Sequence, residues 1–423
     1  MRYKTKWLGV TLACAGMACA WACGGSTHRD TGSGGTGGGD AAAGSAGTSN
    51  GGTGATASGG TGATSTGGSG GIPDGSAGTS GAAGSGGSGG YIADAGALGI
   101  GGCSADPPPG APEAPDPKPY SGGSCPTLPA AWSDAGPSHE ITFKSSGKDR
   151  IFMLVLPDNI QPGEKLPIIF LWHWLGGSAK SFYDKGDVQN AANAQRFIAV
   201  LPESEGAYIL GLSFADMKWP YDVTQTPARV NEELTFFDDM LSCVSQQYSV
   251  NKNCVASVGV SAGALWTDQL IGQRSEYLSS FESLSGGVGA PGGTGAITIK
   301  PWTEWKHPIP GMVLWGGPGD QCVLQQFAGL SHNLENALIK DGSFFTECVH
   351  NCGHAEPPFD PPSGYTTYAG LWQFVLDHPY WLPKGYSPYV AQGLPASDPP
   401  WCDIGPGSAT PRTGTCPPPA CPF

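Results

Sequence analysis

A long stretch of this sequence has nothing from which to build a core. From Gly24 to about Gly102 it is almost wholly Gly, Ser, Thr and Ala, as in "GGTGATASGGTGATSTGGSGG". Such a tract cannot bury enough apolar surface to offset its ordering entropy, so residues 23–102 are expected to form a flexible, solvated linker. "ADPPPGAPEAPDPKPY", Ala105 to Tyr120, continues it in a stiffer, extended form, giving a Pro-rich linker over 103–137. The 423 residues would otherwise argue two or three domains. Apolar runs at structural spacing recur only over 138–390, which is enough for one substantial core. Residues 391–423, rich in Pro and Cys, read as an ordered or disulfide-tied tail.

The first residues carry Arg2, Lys4 and Lys6, followed by the short apolar run "WLGVTLACAGMACAWACGG". A basic start and a short apolar core describe an export signal over 1–22. "AWA" before Cys23 suits a signal peptidase site. Cys23 followed by Gly-Gly also matches a bacterial lipoprotein start, with Ala20 where Leu is usual. The expected location is therefore extracytoplasmic, either secreted or lipid-anchored at the cell surface, with the membrane reached only through Cys23. Of 13 cysteines, Cys14, Cys19 and Cys23 belong to the signal, and the ten that remain suit an oxidising compartment. Cys243 and Cys254 flank a short segment and are the expected local pair. A net charge of −14 disfavours nucleic acid and anionic membranes as partners.

Within 138–390, "LPIIFLWHW" (Leu166–Trp174) and "FIAVLP" (Phe197–Pro202) are continuous apolar runs of the kind buried on both faces of a sheet. His139–Pro157 reads as two strands joined at Ser146-Gly147. Leu234, Phe237, Leu241, Val244 and Tyr248 recur three and four apart, as on one helix face. "CVASVGV", Phe281–Leu284, "MVLW" and "FFTECV" supply further strands. "FAGLSHNLENALIK" and "YAGLWQFVLDH" read as helices. The alternation predicts an α/β fold with a mainly parallel sheet covered by helices on both faces.

At the centre lies "GVSAG", Gly259–Gly263. The pentapeptide alone is weak, since Gly67–Gly71 and Gly86–Gly90 match it inside the low-complexity tract. Its setting is what carries weight: a buried strand ends at Val260, two glycines bracket Ser261, and a helix begins at Ala262. A strand–turn–helix of this kind exposes the serine at the head of the sheet, and its crowded turn leaves no room for side chains beside it. A serine hydroxyl needs a base and an orienting acid. Asp320 in "MVLWGGPGDQCV" and His354 in "FFTECVHNCGHAEPP" follow in the order Ser, Asp, His, each just after an apolar strand. Open parallel sheets build their sites at those strand ends. Backbone N–H groups of Ala262 and of Leu175, in "HWLGG", are the expected oxyanion donors.

These four elements identify the chain, from about His139 to Leu382, as similar to the α/β-hydrolase superfamily. Within it the chain resembles secreted polyhydroxybutyrate depolymerase-like and feruloyl esterase-like enzymes: "GVSAG", "LPIIFLWHWLGG", "VNKNCVASVGVSAG" and "CGHAEP" carry the likeness. The resemblance implies secreted carboxylic-ester hydrolysis on an ester substrate, polymeric or not, without metal or organic cofactor, with Ser261 as nucleophile, Asp320 as acid and His354 as base. Trp174 stands where the family has a glycine, and Gly-Pro where it has a His-Gly-Thr run before the acid.

Other readings sit beside this one. Asp320 could be a solvated loop acid, and His350 and His332 compete with His354. Cys348, His350, Cys352 and His354 invite zinc, although an oxidising compartment favours disulfides. Cys322 is a candidate partner for Cys348 or Cys352, tying the acid loop to the histidine loop. Trp219, Trp302 and Trp305, in the inserted loops 206–231 and 290–310, could grip a substrate or simply pack. A serine peptidase of the same fold, and a non-catalytic surface-binding protein that kept it, remain the alternatives.

Overall fold

The computed structural model describes residues 102–423, apart from 132, 134–138, 206, 210–211, 215–218, 294–296, 324, 419–420 and 422–423. The export signal, Cys23 and nearly all of the Gly-rich linker lie outside the described residues. Nine strands form one sheet: β1 Glu140–Ser145, β2 Lys148–Val155, β3 Leu166–Trp172, β4 Ile198–Pro202, β5 Val250–Val260, β6 Ser280–Leu284, β7 Gly311–Trp315, β8 Phe345–Val349 and β9 Cys402–Ile404. Their spatial order is β1-β2-β4-β3-β5-β6-β7-β8-β9. Every pair from β4 through β8 is parallel, while β1–β2, β2–β4 and β8–β9 are antiparallel.

The apolar runs read as two-faced strands behave as such. Ile168, Phe170 and Trp172 of β3 face one core, and Ile169 and Leu171 the other. Helices α3 (Pro227–Gln247), α4 (Ala262–Arg274) and α5 (Phe327–Asp341) cover the first face. Helices α1 (Ala179–Lys185), α2 (Val188–Gln195) and α6 (Ala369–Asp377) cover the second. Local chemistry sets several boundaries. Ser178 caps α1 in a reciprocal box with Ser181. Thr226 caps α3 ahead of Pro227. Gly342 ends α5 with φ 64°.

All ten cysteines from Cys103 to Cys421 are paired, but not as expected. Cys243 bonds Cys125 and Cys254 bonds Cys103, rather than each other. Each sits several residues from the α3–β5 turn, and four strand rises of about 3.3 Å on one side carry the two thiols apart. Their true partners lie on the segment expected to be a Pro-rich linker. That segment is instead strapped across the α3 side of the domain. Asn253 accepts from the Ala114 N–H at 2.8 Å. Asp239 accepts from Ser121 N–H and Oγ, both at 2.7 Å, and Gln247 accepts from Leu128 N–H at 2.9 Å. Proline-rich chain cannot form a core, but it can lie pre-extended on one at little entropic cost.

The strap makes stability depend on its staples. Replacing Cys103 and Cys254 by Ser opens a loop of 151 residues. It should lower unfolding stability by about 3–5 kcal/mol, read by urea denaturation as a lower midpoint with a steeper slope, because the unfolded chain loses a cross-link.

Candidate active site

The turn between β5 and α4 is where the sheet delivers Ser261. Its backbone sits at φ 55° and ψ −118°, outside the ordinary regions for an L-residue. The chain can adopt this only because nothing projects beside it. A Cβ on Gly259 would stand 2.2 Å from the Gly263 carbonyl oxygen, and one on Gly263 would stand 2.0 Å from that of Trp172. The two glycines therefore let α4 press against β3. Trp172 Nε1 donates to Ser257 Oγ at 3.0 Å from below.

Ser261 Oγ lies 2.7 Å from His354 Nε2, and His354 Nδ1 lies 2.7 Å from Asp320 Oδ1. Asp320 is fully buried. Its other oxygen accepts from Ser285 Oγ and from Gly316 N–H, each at 2.8 Å. Phe327 stacks on the His354 ring at 4.2 Å. Three residues separated in sequence by 34 and 93 positions thus meet at the carboxyl ends of β5, β7 and β8.

Neither competing histidine joins this chain of hydrogen bonds, although His350 lines the cavity at Ser261. His332 is half exposed on α5 and pairs with Glu335 at 2.9 Å. His350 is buried edge-on to Trp401, takes a hydrogen bond from Cys352 N–H at 3.2 Å, and is pushed down to about 4 by burial. It is a neutral packing residue. Cys348 and Cys352 are bonded to Cys402 and Cys416, which removes both thiolates from the zinc reading. Cys322 bonds Cys421, not Cys348 or Cys352. Trp219 and Trp305 are buried in the first core, and Trp219 Nε1 donates to the His173 carbonyl at 2.8 Å. Trp219 thereby braces the loop after β3.

Leu175 occupies a turn closed by Gly177 N–H to the Trp174 carbonyl at 2.9 Å, with Gly176 at φ 71°. His173, fully buried, reaches the Trp174 carbonyl through Nδ1 at 2.9 Å and Glu203 through Nε2 at 3.5 Å. Glu203 accepts from Ala179 N–H at 2.9 Å, at the start of α1. Ala262 is the first residue of α4, where an N–H has no intrahelical acceptor. Leu175, Ser261 and His354 line a cavity of about 390 Å³, walled largely by Trp174, Phe182, Phe359 and Trp372.

The topology and these strand ends have parallels among known proteins. No family model matches the chain. The native structure of sOPH superposes with a TM-score of 0.51 at 16% identity, covering 67% of this chain and 97% of that one. A complex of a pOPH variant with DMSO gives 0.52 at 13% identity, covering 71% and 99%. The chain has the α/β-hydrolase fold. Over 149 residues it is also 28% identical to feruloyl esterase D of Neurospora crassa, which covers 34% of this chain and 48% of that one. It spans about half the length of the curated relative it matches.

Two supporting residues escaped the sequence reading. Ser285, just beyond β6 and at φ 51°, holds Asp320. Asp268, buried on α4, holds the loop that carries Ser285: its Oδ2 accepts from Ser283 Oγ at 2.8 Å and from Gly287 N–H at 2.6 Å. Nothing in the local sequence marks either, because each works only through the crossover from α4 to β6.

Burial pushes the Asp268 carboxyl up to about 7 from 3.8. The folded state then holds a proton that the unfolded chain releases, so this contribution is complete below pH 4 and lost as pH rises through 7. Asp268→Asn removes the titration but keeps the shape. The stability of the parent relative to this variant should fall between pH 5 and pH 8, measured by urea denaturation at both.

Proposed function

We propose that the protein is a serine carboxylic-ester hydrolase in which Ser261, His354 and Asp320 carry a two-step acyl transfer. The observation that carries this reading is the pair of 2.7 Å contacts joining the three side chains in series. With Nδ1–H donating to Asp320, Nε2 of His354 is left as acceptor for the Ser261 proton. The serine oxygen attacks the ester carbonyl, and its proton passes to His354 Nε2. The N–H groups of Ala262 and Leu175 receive the charge that develops on the carbonyl oxygen. His354 then protonates the departing alcohol. Water repeats the sequence on the acyl-enzyme and releases the acid. Asp320 fixes the tautomer, and the hydrogen bonds it accepts from Ser285 and Gly316 hold it in place. The residues supply nucleophile, base and electrophile themselves.

The walls of the cavity favour an ester carrying an aromatic ring. Beside the aromatic lining, the Tyr368 hydroxyl donates to Glu356, which Lys185 also meets at 3.2 Å. A ring could stack among Trp174, Phe359 and Trp372 while a polar substituent reaches this cluster. The partial likeness to a protein named feruloyl esterase agrees with that preference. An extracytoplasmic home, secreted or anchored through Cys23, belongs to the same proposal, and the five disulfides are in keeping with it.

Hydrolysis of p-nitrophenyl acetate and butyrate by the chain from Cys103 onward is the direct test. Ser261→Ala should lower kcat by about 1,000-fold or more. Ser285→Ala should lower it about 10-fold by withdrawing one hydrogen bond from Asp320, with KM little changed. Equal hydrolysis by the parent and a folded Ser261→Ala protein would overturn the proposal. Cleavage of peptide bonds in preference to esters would replace it with the peptidase alternative.

A further inference from the structure

The C-terminal tail reaches the site that this reading makes catalytic. It enters as β9, antiparallel to β8 and bonded through Cys348–Cys402. It then follows the histidine loop outward. Gly407 N–H donates to Glu347 at 2.8 Å, and Arg412 N–H to the Val349 carbonyl at 2.9 Å. The Arg412 guanidinium meets Asn351 Oδ1 at 2.9 Å and the Thr415 carbonyl at 3.1 Å, while Asn351 Nδ2 donates to the Gly414 carbonyl at 2.9 Å. Cys416 is bonded to Cys352, two residues before His354. Five residues later Cys421 is bonded to Cys322, two residues after Asp320.

One short piece of chain therefore spans from the base loop to the acid loop and is covalently fixed at both ends. Five residues reach at most about 17 Å when extended, and the disulfides add Cα–Cα spans of 5.2 and 5.6 Å, so the two loops cannot separate beyond about 28 Å while both bonds stand. The outer end is also inside the substrate space. Cys322, Val323 and Cys421 line the cavity of about 390 Å³ together with Ser261 and His354. Val323 is held at φ 43°, a conformation that a β-branched residue rarely accepts. Flanking constraint is what sustains such a backbone, and the Cys322 bond is next to it.

We propose that the tail is a working part of the site. Cys352–Cys416 and Cys322–Cys421 are positioning bonds that hold the His354 and Asp320 loops to each other, and Cys421 with Val323 forms a wall that limits the size of the group bound beside Ser261. The inference rests on the esterase reading for its kinetic consequences, but its positional claim does not.

The test is the double variant Cys322→Ser/Cys421→Ser in the otherwise intact chain, with Cys103→Ser/Cys254→Ser as a control that loses a staple far from these loops in sequence. Two measurements are made on each: amide-exchange protection by mass spectrometry, and kcat and KM for p-nitrophenyl acetate, butyrate and dodecanoate. Removing the outer staple should abolish protection in 316–323 and 350–355 selectively. It should lower kcat on acetate about 10-fold or more, since small misplacements of reacting groups are costly. It should also lower KM for dodecanoate relative to acetate as the wall opens. The control should do none of these. Unchanged protection of both loops, or an unchanged ratio of KM values in a folded variant, would overturn the proposal. A parent inert on every ester would sink the esterase reading, and the exchange data would still decide whether the tail holds the loops.

Discussion

The architecture turns on one approach distance, that of α4 against β3. Ser261 can occupy its left-handed turn only while the helix packs with Gly263 almost against the Trp172 carbonyl. That approach fixes three things at once. It aims the serine out of the sheet, sets the N-terminus of α4 beneath it, and brings the loop after β3 with Leu175 into the same cavity. A backbone held in a sparsely populated region costs about 1–3 kcal/mol. It persists here because β5 is central, with β3 and β6 bonded on either side and Ser261 N–H donating to the Leu284 carbonyl at 2.9 Å. The turn is strained locally and over-determined globally.

The site's charge is handled differently from the charge in the core around it. Asp320 is as inaccessible as any residue in the chain, yet it has three donors: His354, Ser285 and Gly316. Glu282, on neighbouring β6, is equally buried with neither oxygen hydrogen-bonded, and burial raises it well above the ordinary carboxylate range. Two acids at similar depth thus differ in their surroundings, one fully hydrogen-bonded and one not.

Much of this was legible in the sequence because it is written in local terms. The buried strands are continuous apolar runs, and α3 and α5 show apolar residues at helical spacing. The elbow needs small residues at fixed places on either side of Ser261, and the order Ser261, Asp320, His354 follows from loops at successive strand ends. What stayed hidden depends on meetings between distant segments. Ser285 looks like any serine after a strand until the Asp320 loop arrives beside it. The prolines of 103–137 predict an extended chain but cannot say that an α3 edge carrying Asp238, Asp239 and Gln247 waits to receive it. Proximity in sequence misled for Cys243 and Cys254, because a helix and a strand leave a turn as rigid rods. For the tryptophans of the inserted loops the sequence left binding and packing open, and burial against Trp172 and Phe281 accounts for Trp219 and Trp305.

A catalytic centre assembled at the ends of parallel strands has an inherent weakness, since its members sit on separate loops. The sheet fixes where each loop begins and ends, and leaves its middle free. Here the demand is met in layers of increasing reach. Backbone pairs such as Gly353 N–H to the Gly316 carbonyl at 3.1 Å lace the two loops directly. Phe327 then stacks on the imidazole, and Phe327 N–H donates to the Asp320 carbonyl at 2.9 Å, so that one residue of α5 touches both His354 and Asp320. Disulfides complete the set across sequence separations of 64 and 99 residues. Hydrogen bonds at the rim of a domain compete with water and are individually worth about 1 kcal/mol. A covalent bond does not compete in that way. Placing it two residues from His354 and two from Asp320, where looseness matters most, uses the same chemistry that staples the N-terminal strap to fix the geometry of the site.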